Sequence, residues 1–162
     1  MAARRTRAAA RRAALVPFLS ELSDDEIEAI GYALADPLAP RLAVALSSCS
    51  RGLRRALAAP LQELKERRQK AEELCAFLND TLDEDEELWS CDTLRDATAL
   101  FWNFKQLTAA HVETLGMLLA TNGLPQLQAL PLALNRIGGA GLQSLVGGLG
   151  RRAMPSLERL YF

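Results

Sequence analysis

The chain has 162 residues, of which 49% are hydrophobic and 24% are charged, a composition that excludes a wholly disordered protein. Its 19 basic and 20 acidic side chains give a formal net charge of -1, so we expect no general affinity for nucleic acid. The cysteines lack a Cys-x-x-Cys spacing, and the longest uncharged stretch, 114–135, is interrupted by glycine and proline. We therefore expect no metal, no cofactor, no disulfide framework and no membrane span.

The N-terminal residues form a basic segment. Residues 1–20 contain five arginines embedded in alanine and no acidic side chain. Residues 1–14 are therefore predicted to be a disordered basic arm, although the same composition is typical of an organelle transit peptide. We expect a cytoplasmic or nuclear protein, with import into mitochondria or plastids as the alternative.

Short helices are predicted between residues 19 and 57. Ser23 followed by Glu26 is a capping box that opens a helix, and Asp36-Pro37 ends it, because the residue before proline avoids the helical region. Pro40 is suited to the first turn of the next helix. The apolar face predicted for that helix consists of Leu42, Ala43, Leu46 and Cys49.

A long amphipathic helix is predicted at about 61–82. Its apolar stripe recurs at steps of three and four, and charged residues occupy the other sides. The acidic run 83–87 that follows lacks the alternating ligands and the turn glycine of a calcium loop, so we interpret it as a solvated loop or helix start. Together these elements predict a helical domain over residues 15–96. The stripe consists of Leu61, Leu64, Arg68, Ala71, Leu74, Leu78 and Leu82.

Beyond residue 97 the sequence is self-similar at an offset of 30 residues. When 97–132 is aligned with 127–162 without a gap, eight of the 36 positions are identical, and the conservative pairs fall on apolar positions. The identical positions are Ala99, Leu100, Ala110, Leu115, Leu119, Pro125, Leu127 and Leu130.

The second copy carries a recognisable pattern, Leu127-x-x-Leu130-x-Leu132-x-x-Asn135-x-Ile137-Gly138-x-x-Gly141. It resembles the leucine-rich repeats of the ribonuclease-inhibitor-like class. Alternating leucines make a short inward-facing strand, the asparagine satisfies backbone groups at the bend, and a helix packs behind. The resemblance implies a mostly α protein with short parallel strands: an N-terminal helical bundle followed by an incomplete α/β leucine-rich-repeat solenoid over 97–162.

The first copy departs from this pattern and indicates a degraded or capping repeat. Lys105 stands where the asparagine is expected, and His111 stands where the second glycine is expected. Only two units and the strand of a third are present, and Phe162 occupies an inward strand position of that third unit. We therefore expect the sequence to be a fragment or its end to be covered by another chain.

No catalytic motif accompanies the repeats. His111 is the single histidine, and its spacing to Leu107 and Leu115 places it on a helix face. No phosphate loop, nucleophile elbow or pair of carboxylates is found. We therefore expect a protein that is not an enzyme.

The repeats are instead expected to bind a protein partner. The aromatic residues Trp89, Phe101, Trp102 and Phe104 form either a hydrophobic seal over the first repeat or a binding patch at the start of its strand surface. Outward-pointing strand positions are the predicted partner contacts. These are Phe101, Asn103, Ala129, Pro131 and Ala133.

Residues 15–57 show a second, weaker resemblance. The run 15–22, the capped helix, Asp36-Pro37-Leu38 and the segment 41–54 look like an F-box. That resemblance implies docking on a Skp-type adaptor of a cullin ubiquitin ligase, with the repeats holding the substrate. The alternative is that the same residues form the core of an N-terminal helical cap. The predicted docking residues are Pro17, Leu19, Leu22, Ile27, Leu38, Leu42 and Val44.

Overall fold

The structure, a computed structural model, describes residue 19 and residues 21–82, 87–121, 123–151 and 157–161. The predicted basic arm, Pro17 and most of the acidic run lie outside these residues. The described chain is mostly helical, with two short parallel strands that do not form a closed sheet. In chain order the elements are α1 (Asp24–Ala33), α2 (Arg41–Ser47), α3 (Arg51–Ala56), α4 (Ala58–Asn79), α5 (Cys91–Asp96), α6 (Ala109–Ala120), β1 (Ala129–Pro131), α7 (Gly138–Arg151) and β2 (Arg159–Tyr161).

The chain divides into two compact units. The first draws on Met1–Ala35 and Pro40–Leu64, and the second on Asp36–Ala39 and Lys65–Phe162. The domain boundary expected between residues 96 and 97 therefore lies within the second unit.

In the first unit, the predicted capping box is confirmed. The backbone N–H of Glu26 donates to Ser23 Oγ at 3.3 Å, and that of Ser23 donates to Glu26 Oε2 at 2.8 Å. These hydrogen bonds from Ser23 hold the pKa of Glu26 below its usual value. Two small clusters of buried side chains form the core of this unit: Leu19, Ile27, Leu53 and Leu57, and Ala35, Ala43 and Leu64.

Helix α2 differs from its predicted orientation. Ala43 and Ser47 are its buried residues, whereas Leu42 is exposed. Because α2 has seven residues, its buried stripe is only one turn long, and a residue adjacent to that stripe turns about 100° away from it. The prediction that Leu42 belongs to the buried face is therefore wrong.

A long-range clamp holds the turn at Asp36–Ala39 in the second unit. Asp36 Oδ1 accepts from the backbone N–H of Leu38 at 2.9 Å, and its Oδ2 lies 3.1 Å from the Arg95 guanidinium. Arg68 of α4 donates to the carbonyls of Pro37 and Leu38 at 3.4 and 3.3 Å. These contacts carry Leu38 into the core of the second unit, where it is fully buried.

Segments 30 residues apart lie side by side in the second unit. Strand β1 pairs with β2 in parallel, with Leu130 opposite Leu160, and Ala99 forms a parallel bridge with Ala129 on the other side of β1. Leu100 and Leu130 are fully buried, and Leu160 packs against the same core. Helices α6 and α7, which follow the first two segments, pack against each other.

Proline 131 is accommodated inside β1 by a local rearrangement. The Pro131 carbonyl accepts from the backbone N–H of Trp102 at 3.1 Å, but proline has no N–H to return to the Leu100 carbonyl. That carbonyl accepts instead from the N–H of Trp102 at 3.0 Å. The pairing with residues 99–102 is thus limited to an isolated bridge and the hydrogen bonds around it.

Candidate binding surface

The outward sides of the paired segments form one surface, which we call the strand face. Its members are the residues between or just after the inward leucines: Phe101, Phe104, Pro131, Leu134 and Tyr161. Pro131 lies opposite Tyr161 in the parallel register, and the hydrogen bond from Trp102 to the Pro131 carbonyl places Phe101 on its other side. Four of the five members are between 55% and 71% exposed, namely Phe101, Phe104, Leu134 and Tyr161.

Two of these side chains project from an unusual backbone conformation. Phe104 and Leu134, which are equivalent at the 30-residue offset, have φ of 60° and 59°. This left-handed region disfavours bulky side chains, and strained residues of this kind cluster at functional sites. The N–H of Phe104 donates to the Ala133 carbonyl at 3.1 Å, which holds the two turns next to each other.

Asn135 fixes the bend below the strand face. Its Oδ1 accepts from the N–H of Leu107 at 3.0 Å, and its Nδ2 donates to the carbonyls of Trp102 and Leu132, each at 2.7 Å. The asparagine thus satisfies backbone groups of two neighbouring segments, in agreement with its predicted role. Lys105, at the equivalent position, donates from Nζ to the Thr81 carbonyl at 3.0 Å.

The predicted partner contacts divide into three groups. Phe101 is exposed, as expected. Asn103, Ala129 and Ala133 are half-buried, and Asn103 Oδ1 already accepts from the N–H of Ala133 at 2.8 Å. Pro131 is buried, which corrects the expectation that it faces solvent, because paired backbone lies on both sides of it.

The aromatic cluster separates into two pairs with different roles. Trp102 is fully buried and Trp89 is half-buried, and their rings meet edge-on with centroids 5.8 Å apart. Asn79 holds the backbone of Trp89 through two hydrogen bonds of 2.6 and 2.9 Å. The tryptophans pack on the core, whereas Phe101 and Phe104 are exposed; the seal and the patch therefore involve different residues of the cluster.

Leu134 and Tyr161 are strand-face residues that the sequence reasoning missed. Tyr161 is equivalent to Phe101 at the 30-residue offset, and Leu134 is equivalent to Phe104. That offset, applied to the exposed aromatic residues as well as to the buried leucines, is the signal that identifies both.

An open pocket of about 420 Å³ lies beside the strand-face segment at Ala99. Trp89 and Leu88 contribute apolar surface, and Glu87 and Asp96 contribute carboxylates. The remaining lining residues are Leu82, Thr93, Ala97, Thr98 and Ala99.

The predicted docking residues of the N-terminal part do not form one surface. Leu19 and Ile27 are buried in the first unit, and Leu38 is buried in the second, which corrects their assignment to a docking surface. Leu22 packs partly against the first core. Only Leu42 and Val44, at 67% and 50% exposure, are available on α2.

His111 has a structural role in this arrangement. The backbone N–H of Thr108 donates to His111 Nδ1 at 3.2 Å, which caps α6, and the imidazole stacks on Phe77 with centroids 3.9 Å apart. Burial lowers the pKa of His111, and this favours the neutral ring that accepts the hydrogen bond. Among the described residues, no group of three or more histidine, cysteine or carboxylate side chains is placed to hold a metal ion.

None of the described helices combines the length and the hydropathy that a membrane span requires. No protein-family model, no curated protein and no solved structure matches the chain.

Proposed function

We propose that this chain is a non-catalytic protein–protein interaction module of the cytoplasm or nucleus, and that its partner binds the strand face. The observation that carries this proposal is the exposure of four large apolar side chains on one side of the paired segments, while the inward leucines are fully buried. Contiguous exposed apolar surface of this kind marks interaction sites.

We further propose that residues 97–162 are incomplete leucine-rich repeats that follow an N-terminal helical bundle. The parallel register of Leu130 with Leu160, the bridge from Ala99 to Ala129 and the packing of α6 on α7 support this assignment. Each unit then covers the apolar side of its neighbour, as stacked repeats do.

The strand face is suited to binding because its backbone is already ordered. Asn135 ties both turns together, and the hydrogen bonds of Phe104 and Trp102 join neighbouring segments. Since little conformational freedom is left to lose on docking, the aromatic side chains contribute most of their contact energy to affinity. Exposed aromatic anchors are also enriched among the residues that dominate binding energies.

Site-specific photo-crosslinking tests this function. A photoreactive phenylalanine analogue at position 101 is expected to capture a discrete partner in cells, and mass spectrometry then identifies it. In calorimetry with the purified partner and the full chain, Phe104→Ser and Leu134→Ser are each expected to weaken binding about tenfold, because each removes an apolar anchor.

Val146 supplies the matched control. It is an apolar residue of α7 that is 57% exposed and lies outside the strand face. The photoreactive residue at position 146 is expected to capture no partner, and Val146→Ser is expected to leave the affinity unchanged. Equal capture from positions 101 and 146, or an affinity that Phe104→Ser does not change, excludes the strand face as the binding site.

A second candidate is an F-box-like substrate adaptor, favoured by the exposed Leu42 and Val44 on α2. The full chain is then expected to retain a purified Skp-type adaptor in a pull-down, and Leu42→Asp is expected to abolish retention by placing a charge in an apolar contact. Ala29→Asp adds the same charge at an exposed position of α1 and serves as the control. Failure of the unmodified chain to retain the adaptor removes this candidate.

A further inference from the structure

Two of the cysteines lie together in the second unit. Cys75 belongs to α4 and Cys91 is the first residue of α5. Both are buried in the same core, each at 5% exposure, and their side chains are hydrogen-bonded to each other. Cys49 lies in the first unit, where its Sγ donates to the Ala45 carbonyl at 3.3 Å.

The two thiols have unequal environments. The hydrogen bond from Cys75 lowers the pKa of Cys91, and the positive charge of Arg68 lowers it further. The same hydrogen bond and burial raise the pKa of Cys75. Cys91 is therefore the sulfur that reaches the thiolate state, while Cys75 keeps its proton and donates it to Cys91.

We propose that Cys75 and Cys91 form a paired oxidation site, which closes to an intramolecular disulfide when the chain meets hydrogen peroxide. Hydrogen-bonded sulfurs need only side-chain rotation and a small approach to reach the S–S distance of about 2.05 Å. Because each residue is only 5% exposed, a small oxidant is the class that fits.

The chemistry proceeds in two balanced steps. The Cys91 thiolate attacks one peroxide oxygen and breaks the O–O bond, which gives a sulfenic acid and a hydroxide that takes up the proton lost by the Cys91 thiol. The Cys75 sulfur then attacks the Cys91 sulfur, the S–S bond forms, and the sulfenic hydroxyl leaves with the Cys75 proton as water. Overall, two thiols and one peroxide give one disulfide and two water molecules.

Peptide mass spectrometry of the full chain, treated with hydrogen peroxide under native conditions and then alkylated, tests the proposal. The free thiols are expected to fall from three to one, with one cross-linked peptide joining Cys75 to Cys91 and an alkylated Cys49. Dithiothreitol is expected to restore all three thiols.

Single variants separate the two sulfurs. Cys49→Ser is expected to leave the cross-link unchanged. Cys75→Ser, with its fold checked by circular dichroism, is expected to prevent the cross-link and leave a sulfenic acid on Cys91 that dimedone traps. The proposal is overturned if Cys75 and Cys91 remain alkylatable after peroxide treatment, if Cys49 takes part in the disulfide, or if the cross-link forms only in denaturant.

Discussion

Replacing Gly148 by alanine is expected to destabilise the second unit by about 2–3 kcal/mol, a large value for one added methyl group. A Cβ at this position of α7 meets the backbone carbonyl oxygen of Gly116 in α6. A backbone atom cannot rotate away as a side chain does, so α6 and α7 have to separate, and the buried contacts between them are lost. Urea unfolding followed by circular dichroism measures the loss.

The neighbouring glycine provides a matched control for this change. Gly147 lies in the same helix, and a Cβ there has nothing within 4 Å. Gly147→Ala is therefore expected to stabilise the protein by about 0.5–1 kcal/mol, because alanine has the higher helix propensity. Effects of the same sign in the two variants are incompatible with a close approach of α6 and α7 at Gly148.

These two glycines show what sequence reasoning can and cannot resolve. Helix propensity assigns both the same unfavourable effect, because it describes only the local backbone. The structure separates them, since Gly148 lies against the α6 backbone and Gly147 faces open space. Only the packing of one helix on another carries that distinction.

Local and periodic signals account for the features that the sequence predicted well. The capping box at Ser23 depends on residues three apart, and the register of Leu130 with Leu160 follows directly from the 30-residue offset. The long helix was predicted with its buried stripe, although α4 begins at Ala58 and ends at Asn79. Its charged face and apolar face are both long enough to define one orientation.

Long-range contacts account for the candidate site residues that were misplaced. Leu38 follows Asp36-Pro37 in a turn whose position depends on Arg68 and Arg95, which lie about 30 and 60 residues further along the chain. No local pattern reveals such partners.

Backbone conformation explains why part of the strand face was missed. Strand alternation predicts which way a side chain points only as far as the strand extends. Leu134 lies after β1 in a left-handed turn, a conformation that sequence rules reserve mainly for glycine and asparagine. Its exposure therefore had no signal within its own segment, and only comparison with Phe104 reveals it.

Replacing Asn135 by aspartate is expected to destabilise the second unit by about 3 kcal/mol at neutral pH. The carboxylate still accepts from the N–H of Leu107, but it has no N–H for the carbonyls of Trp102 and Leu132, which lie 2.7 Å from the asparagine nitrogen. Repulsion between these oxygens raises the pKa of the new carboxyl above the unfolded value of about 3.9. The destabilisation is therefore expected to shrink as the pH falls through that raised pKa.

Asn103→Asp is the matched control, since it makes the same chemical change 32 residues earlier in the chain. The hydrogen bond found for the Asn103 side chain is accepted by its Oδ1 from the N–H of Ala133, and an aspartate retains it. Thermal unfolding between pH 4 and 7 is expected to show a small, nearly pH-independent change for Asn103→Asp and a large, pH-dependent one for Asn135→Asp. If both variants unfold alike, the amide N–H groups of Asn135 do not hold the bend, and the preordered strand face loses its main support.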